Sequence, residues 1–123
     1  MKNIIIVTGG AGFIGSNLSD YLVDNGCNVT VIDDLSSGKA SNLSSIIEKI
    51  IFYEEKIENF NFSKLNKIDA LVHLAAQPSV PISIENFGAS SSSNILGSIK
   101  VIDFAEKKIY LWFMLLHLQY MVI

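Results

Sequence analysis

Three observations predict an α/β fold, with a parallel sheet covered by helices on both faces. Short apolar runs at 4–7, 28–32, 50–53 and 70–74 alternate with stretches whose apolar residues recur at helical spacing. Such alternation yields parallel strands joined by crossovers that pack on the faces of the sheet. The first apolar run feeds directly into a glycine-rich turn, Gly9-Gly10-Ala11-Gly12-Phe13-Ile14-Gly15, and an amphipathic stretch leaves it. The second run ends in a carboxylate, Asp33, 18 residues past Gly15.

In chain order, strand one covers Ile4 to Val7, and a helix follows over about 13–25 with Ile14, Leu18, Tyr21 and Leu22 as its apolar residues. Asn25-Gly26 supplies the helix stop. Strand two ends at Asp33, and the polar loop 34–42 leads to a short helix over 43–49 and strand three at 50–53. Residues 54–67 read as a loop with a short helix near 63–66. Strand four, Ala70 to Leu74, is continuously apolar, as a strand covered on both faces should be. Pro78 and Pro81 break regular structure. A longer helix then runs from about Gly88 to Lys108, with Ile95, Ile99, Ile102 and Glu106 on one track and Leu96, Val101 and Ala105 widening its apolar face. The serines at 90–93 read as a solvated helix start.

The glycine spacing carries chemistry because it stands between a strand and a helix. Gly9 permits a tight exit from the strand, Gly12 lets backbone approach a pyrophosphate, and Gly15 lets the helix press on the sheet. Free N–H groups and the positive dipole end of the new helix then face the phosphates. Glycine-rich turns also occur with no ligand. Here the second signal decides: Asp33 lies near the offset of about 20 residues expected of an acid that holds the adenosine ribose hydroxyls. The bland alternative for Asp33 is a turn-opening acid ahead of the loop that ends at Gly38. The fold class is therefore a Rossmann-type parallel sheet, partial, with four to five strands in the order 3-2-1-4.

Composition narrows the partners. Half of the 123 residues are hydrophobic and 17% are charged, which excludes a disordered chain. The net charge is −3 and no basic run occurs, so nucleic acid has no electrostatic foothold. All nine basic residues are lysines. No metal-ligand spacing and no membrane span of about 20 apolar residues appears. The opening apolar run is too short for a signal peptide, and a lone cysteine, Cys27, fits a packing role in a reducing cytoplasm.

Thr8-Gly9-Gly10-Ala11-Gly12-Phe13-Ile14-Gly15, Asp33-Asp34-Leu35-Ser36-Ser37-Gly38 and His73-Leu74-Ala75-Ala76-Gln77 together resemble the extended short-chain dehydrogenase/reductases, and within them the NAD-dependent nucleotide-sugar epimerases and dehydratases. The resemblance covers about residues 2–108. It implies a cofactor site made of Gly9, Gly12, Phe13, Ile14, Gly15, Asp33, Asp34, Leu35, Ser36, Ser37, Gly38, Ile57, Leu74, Ala75, Ala76 and Gln77. NAD is the implied cofactor. Asp33 and Asp34 would repel a 2′-phosphate and no arginine is present to clamp one, although Lys39 is a nearby cation. His73, within an apolar run, reads as a satisfied structural histidine rather than a catalytic base. Asn94 matches the family's Asn-Val-x-Gly-Thr segment, where it either orders the site or simply starts a helix. One departure concerns adenine: where the family carries an aspartate that accepts a bond from the adenine amino group, this chain has Lys56, which only donates. Ile57 remains to flank the ring.

The family's proton-transfer pair is absent. The tyrosines are Tyr21, Tyr53, Tyr110 and Tyr120, and none is followed four residues later by lysine, so no catalytic residue is assigned. The expected organisation is an incomplete NAD-binding domain over 1–108 and an apolar tail over 109–123, with no substrate domain. All 21 charged residues precede Ile109, so the tail is expected to be either strand five or the product of a lost reading frame. The functional expectation is the NAD-binding portion of a UDP-glucose 4-epimerase-like protein, truncated and inactive alone. The alternative is a non-catalytic NAD-sensing module. A nucleotide sugar would be a partner only of a full-length relative. Family members are often homodimeric, whereas the apolar tail predicts aggregation of this chain.

Overall fold

The structure is a computed structural model that describes residues 2–65, 67–75, 97–108 and 111–114. Five strands form one parallel sheet: β1 (Ile4–Thr8), β2 (Asn28–Ile32), β3 (Ile51–Tyr53), β4 (Ala70–His73) and β5 (Leu111–Met114). Their order is β3-β2-β1-β4-β5, so β1 is central, as the apolar character of Ile4 to Val7 requires. Ile6 faces Thr30 on one side and Leu71 on the other, and Thr8 faces Ile32 and His73. Strand five is present at 111–114, where Leu111 pairs with Ala70. It continues the sheet past Lys108, the point at which the family resemblance was expected to end.

Because side chains alternate along a strand, β1 to β4 feed two cores. One face gathers Ile6, Ile32 and Leu71 with Ile57, Phe60, Phe62 and Phe104; the other gathers Val7, Val29 and Val31 with Ala11, Leu43 and Ile46. Helix α1 (Phe13–Asp24) lies against the second core and helix α2 (Gly97–Lys108) against the first, so both faces are covered. Phe60 is fully buried and meets Tyr53 and Phe62 edge-on, with ring centroids 5.2 Å and 5.1 Å away.

Helix α1 ends in a Schellman motif: Cys27 N–H donates to Leu22 O and Gly26 N–H to Val23 O, both at 3.0 Å. Gly26, at φ +82°, supplies the left-handed residue. The Asn-Gly pair thus stops the helix by the expected device. Cys27 is half-buried against the second core.

Four local expectations differ. The stretch 43–49 forms no α-helix; two 3-10 turns, Ala40–Leu43 and Ile47–Lys49, take its place. Only Leu43 and Ile46 need covering there, and single turns do this without a helical face. The helix expected near 63–66 is likewise a 3-10 turn, Phe62–Lys64, preceded by another at Ile57–Asn59. On α1 the buried residues are Gly15, Ser16 and Ser19, while Ile14 and Tyr21 are exposed. Close helix–sheet packing selects small residues at the tightest contact, while the expected Leu18 and Leu22 pack half-buried on the second core. On α2 the buried face is Gly97, Val101, Phe104 and Ala105, at positions i, i+4, i+7 and i+8, whereas Ile99 and Ile102 face out. Residues 76–96, including Pro78, Pro81 and Asn94, lie outside the described residues. Among the described residues no helix is long and apolar enough to cross a membrane.

Ser19 gives a direct test of the α1 packing. It is fully buried, and its hydroxyl has no hydrogen-bond partner among the described residues. Ser19→Ala removes an unsatisfied polar atom at nearly constant volume and improves helix propensity, so unfolding should become harder by about 1 kcal/mol. Urea denaturation measures this; a clear loss of stability would mean that the hydroxyl has a partner.

Candidate functional site

The chain passes from β1 through α1 to β2 and β3 on one side of β1, then crosses to β4 on the other. The crevice outside the carboxyl ends of β1 and β4 is therefore the topological switch point, where open parallel sheets bind ligands. Three segments meet there: the glycine turn, the loop after β2 and the exit of β4.

Gly9 leaves β1 with φ +72°, a conformation an L side chain rarely adopts. Its N–H donates to Ile32 O at 2.7 Å, which ties the turn to β2. A Cβ on Gly9 would lie 2.7 Å from Leu74 C and 2.8 Å from Ala75 N, so the glycine turn and the β4 exit touch backbone to backbone. A Cβ on Gly15 would collide with Gly9 O and lie 2.7 Å from Gly10 Cα. These neighbours are backbone atoms and cannot swing aside. Gly12 is the N-cap of α1; no side chain caps it and no acid lies in the first turn. The dipole of a 12-residue helix thus opens uncompensated at the crevice.

Asp33 is 7% exposed and both its oxygens are engaged. Oδ2 accepts from Ala11 N at 2.9 Å and Oδ1 accepts from Leu35 N at 2.8 Å. Burial raises its pKa, the two N–H bonds oppose that shift, and the neighbouring Asp34 adds to it. A carboxylate offers about four lone-pair positions, so two acceptor positions remain. Asp34 is committed to its own turn, accepting from Ser36 N at 3.0 Å and from Ser36 Oγ at 2.8 Å. Leu35 adopts φ 62° and packs its side chain on the second core. Gly38 presses on Ala11, 2.8 Å from its C and O if a Cβ is added.

Sequence reasoning missed Ala11 and Asn42. Ala11 is fully buried; its O accepts from Lys39 N at 3.1 Å and from Asn42 Nδ2 at 2.9 Å, while its N–H is held by Asp33. The loop after β2 therefore clasps the glycine turn at one residue. The only signal in the sequence was the small residue required between Gly10 and Gly12.

Other predicted site residues are placed as follows. Phe13, 84% exposed, and Ile14 stand open at the mouth of the helix. Ser36 and Ser37 are exposed. Ile57 is 4% exposed, part of the first core, and its Cγ2 would lie 2.5 Å from a Cβ on Gly97. Its side chain packs within the first core against the start of α2. Lys100 Nζ fastens the Ile57–Asn59 turn by donating to Glu58 O at 3.0 Å. Leu74 and Ala75 are half-buried at the β4 exit; Ala76 and Gln77 lie outside the described residues.

His73 is 3% exposed, with Nδ1 2.6 Å from Thr8 Oγ1 and Nε2 3.4 Å from Ser98 Oγ. Both ring nitrogens have partners, and desolvation lowers its pKa to about 4. It is a buried neutral histidine.

The fold and the crevice define a dinucleotide-binding α/β domain of the Rossmann type. Residues 5–115 match the model of the NAD dependent epimerase/dehydratase family, and the chain belongs to that family. The match extends beyond Lys108 and takes in β5. The UDP-glucose 4-epimerase of Mycolicibacterium smegmatis is 36% identical over 114 residues, covering 82% of this chain and 34% of that protein. The crystal structure of the Thermotoga maritima UDP-glucose 4-epimerase with UDP-glucose superposes with a TM-score of 0.82 at 40% identity, covering 90% of this chain and 37% of that one. The Thermus thermophilus UDP-glucose 4-epimerase in complex with NAD gives 0.74 at 29% identity, over 85% and 34% of the two chains. The chain spans about a third of the length of these relatives.

The His73 environment makes stability depend on pH. With a folded value near 4 against 6.5 unfolded, the unfolded chain binds the proton first as pH falls, so this contribution is complete above 6.5 and is lost between 6.5 and about 4. The loss amounts to about 3 kcal/mol at most. Asp33 acts in the opposite sense: its raised value means that the buried carboxylate costs stability at neutral pH, a cost relieved as it protonates. Urea midpoints should therefore fall from pH 7 toward pH 5, and His73→Gln, though less stable, should be nearly flat over that range. A wild-type midpoint independent of pH would contradict the assignment.

Proposed function

We propose that this chain is the NAD-binding portion of a nucleotide-sugar epimerase or dehydratase similar to UDP-glucose 4-epimerase, and that these 123 residues alone do not turn over substrate. The observation that carries the reading is the meeting of an uncapped helix N-terminus, a buried Asp33 with free lone pairs and a side-chain-free backbone contact at one switch point. These features fit a dinucleotide. The opening of α1 would receive the pyrophosphate, Asp33 the adenosine ribose hydroxyls, and Leu74 and Ala75 the face of the cofactor that lies along the β4 exit. Bound NAD would supply a reversible hydride acceptor for a sugar carbon. Residues 1–108 provide these contacts in the proposal, and β5 extends the sheet beneath them.

The preference for NAD over NADP rests on charge. A 2′-phosphate would meet Asp33, Asp34 and no arginine, which is unfavourable on both counts. Absence of turnover rests on chemistry: without Tyr-x-x-x-Lys the chain lacks a proton-transfer group for the sugar hydroxyl, and general acid–base catalysis contributes roughly 10²–10⁴ in rate.

Two measurements test the proposal. Titration should show NAD binding more tightly than NADP, and Asp33→Ala should weaken NAD by about 1.5–3 kcal/mol while narrowing the preference. Tighter NADP binding by the wild type would refute the role given to Asp33. Incubation with UDP-galactose and NAD should yield no UDP-glucose above a protein-free control; sustained product would reveal proton-transfer groups other than the missing pair.

A further inference from the structure

A buried polar chain joins the carboxyl ends of β1 and β4 to helix α2. Thr8 Oγ1 lies 2.6 Å from His73 Nδ1, and it accepts from Leu74 N at 3.0 Å and from Ala75 N at 3.3 Å. On the far side of the ring, Ser98 Oγ lies 3.4 Å from Nε2. Thr8 is fully buried and His73 nearly so, which leaves water little part in satisfying these atoms.

Counting donors and acceptors fixes the protons. A threonine hydroxyl has one hydrogen and two acceptor lone pairs. The Leu74 and Ala75 amides occupy the lone pairs, so the hydrogen is left for His73 Nδ1. That nitrogen must then be the acceptor, and the ring carries its proton on Nε2, toward Ser98. The opposite tautomer would bring a third donor to an oxygen whose two lone pairs the amides already occupy, and would turn the hydroxyl hydrogen away from the ring. The direction of the chain is thus Thr8 to His73 to Ser98.

The same hydroxyl holds the segment that lies against the glycine turn. Leu74 N also donates to Thr8 O at 3.0 Å, whereas Ala75 N reaches the Thr8 side chain. Gly9, the next residue after Thr8, has room for no side chain between itself and Leu74–Ala75. The Thr8 hydroxyl is therefore a polar link between the β4 exit and the turn on which a pyrophosphate would sit.

We propose that Thr8, His73 and Ser98 form a positioning relay that sets the β4 exit against the glycine turn, and so sets the crevice in which the dinucleotide lies. The consequence for the dinucleotide rests on the NAD-binding reading; the relay itself does not. These are positioning residues, since none is required to touch the cofactor.

The relay predicts observables in the nucleotide-free chain. With ¹⁵N-labelled histidine, NMR at neutral pH should show the His73 ring as the neutral Nε2–H tautomer, resisting protonation well below 6.5. Thr8→Val should disturb that tautomer, speed exchange of the Ala75 amide by about tenfold and weaken NAD by about tenfold, the size of one lost buried hydrogen bond. Thr8→Ser, which keeps the hydroxyl, should restore both to within about threefold of wild type. An Nδ1–H tautomer in the wild type would overturn the relay, and this readout needs no variant to fold. A folded Thr8→Val with unchanged Ala75 exchange and unchanged NAD affinity would overturn it as well. If the wild type shows the expected tautomer and Ala75 protection yet binds no NAD, the relay is supported and the cofactor reading fails.

Discussion

Backbone must touch backbone around Ala11, and the rest of the site follows from that constraint. Gly15 abuts Gly9 O, Gly38 abuts Ala11 C, and Gly9 abuts Leu74 C. Each contact closes a gap that a single methyl group would hold open, and in each case the obstructing atoms belong to the main chain. The cost of ordering glycine, roughly 0.5–1 kcal/mol relative to alanine, is accepted at each position because no other residue permits the approach. Three segments far apart in sequence are thereby stacked within reach of one ligand. Polar groups then lock the stack. Asp33 holds Ala11 N, Lys39 and Asn42 hold Ala11 O, and Thr8 holds Leu74 and Ala75.

The parts of this arrangement legible in the sequence are those with a local, periodic or spaced signal. Ile4 to Val7 and Ala70 to Leu74 announced buried parallel strands because both their faces are apolar. The glycine triplet and Asp33 announced the switch point because their spacing reflects one strand–helix–strand unit. What escaped was set by partners distant in sequence. Which side of α1 is buried depended on how closely it sits on the sheet, so small Ser16 and Ser19 went in and Ile14 and Tyr21 stayed out. On α2 two tracks of similar hydrophobicity competed, and Phe104, able to stack on Phe62 at 4.5 Å between centroids, decided the contest. Ile57 was placed by the absence of a side chain at Gly97. Asn42 carried no signal until the loop folded back, and Ala11 only that of a small residue between two glycines.

The short crossover between β3 and β4 illustrates how a segment with no α-helix of its own shares with α2 in covering a sheet face. Residues 57–64 form two 3-10 turns whose Ile57, Phe60 and Phe62 all point into the first core. A three-residue turn offers one or two inward positions, and aromatic rings supply the area that a helical stripe would otherwise provide. The edge-on contacts of Phe60 and the stacking of Phe62 on Phe104 then bind this segment to α2. Lys100, bonded to Glu58 O, adds a polar fastening at the rim of the same contact.

Asp33 is where burial and charge oppose one another. A carboxylate 7% exposed loses most of its hydration, and burial pushes its pKa upward. Two backbone N–H bonds return part of that cost while the remaining lone pairs stay open. Beside it, Leu35 holds a left-handed conformation, which costs a β-carbon-bearing residue roughly 1–2 kcal/mol. That strain is offset locally, since the Leu35 N–H meets Asp33 and its side chain packs on the second core. A larger side chain-to-backbone satisfaction at Asp33 would make the fold more stable and leave fewer acceptors for a ligand. A smaller one would leave an unpaired charge in a buried turn. The observed compromise, one N–H on each oxygen, keeps the loop in place and leaves each oxygen half available, as the ribose-binding role proposed for Asp33 would require.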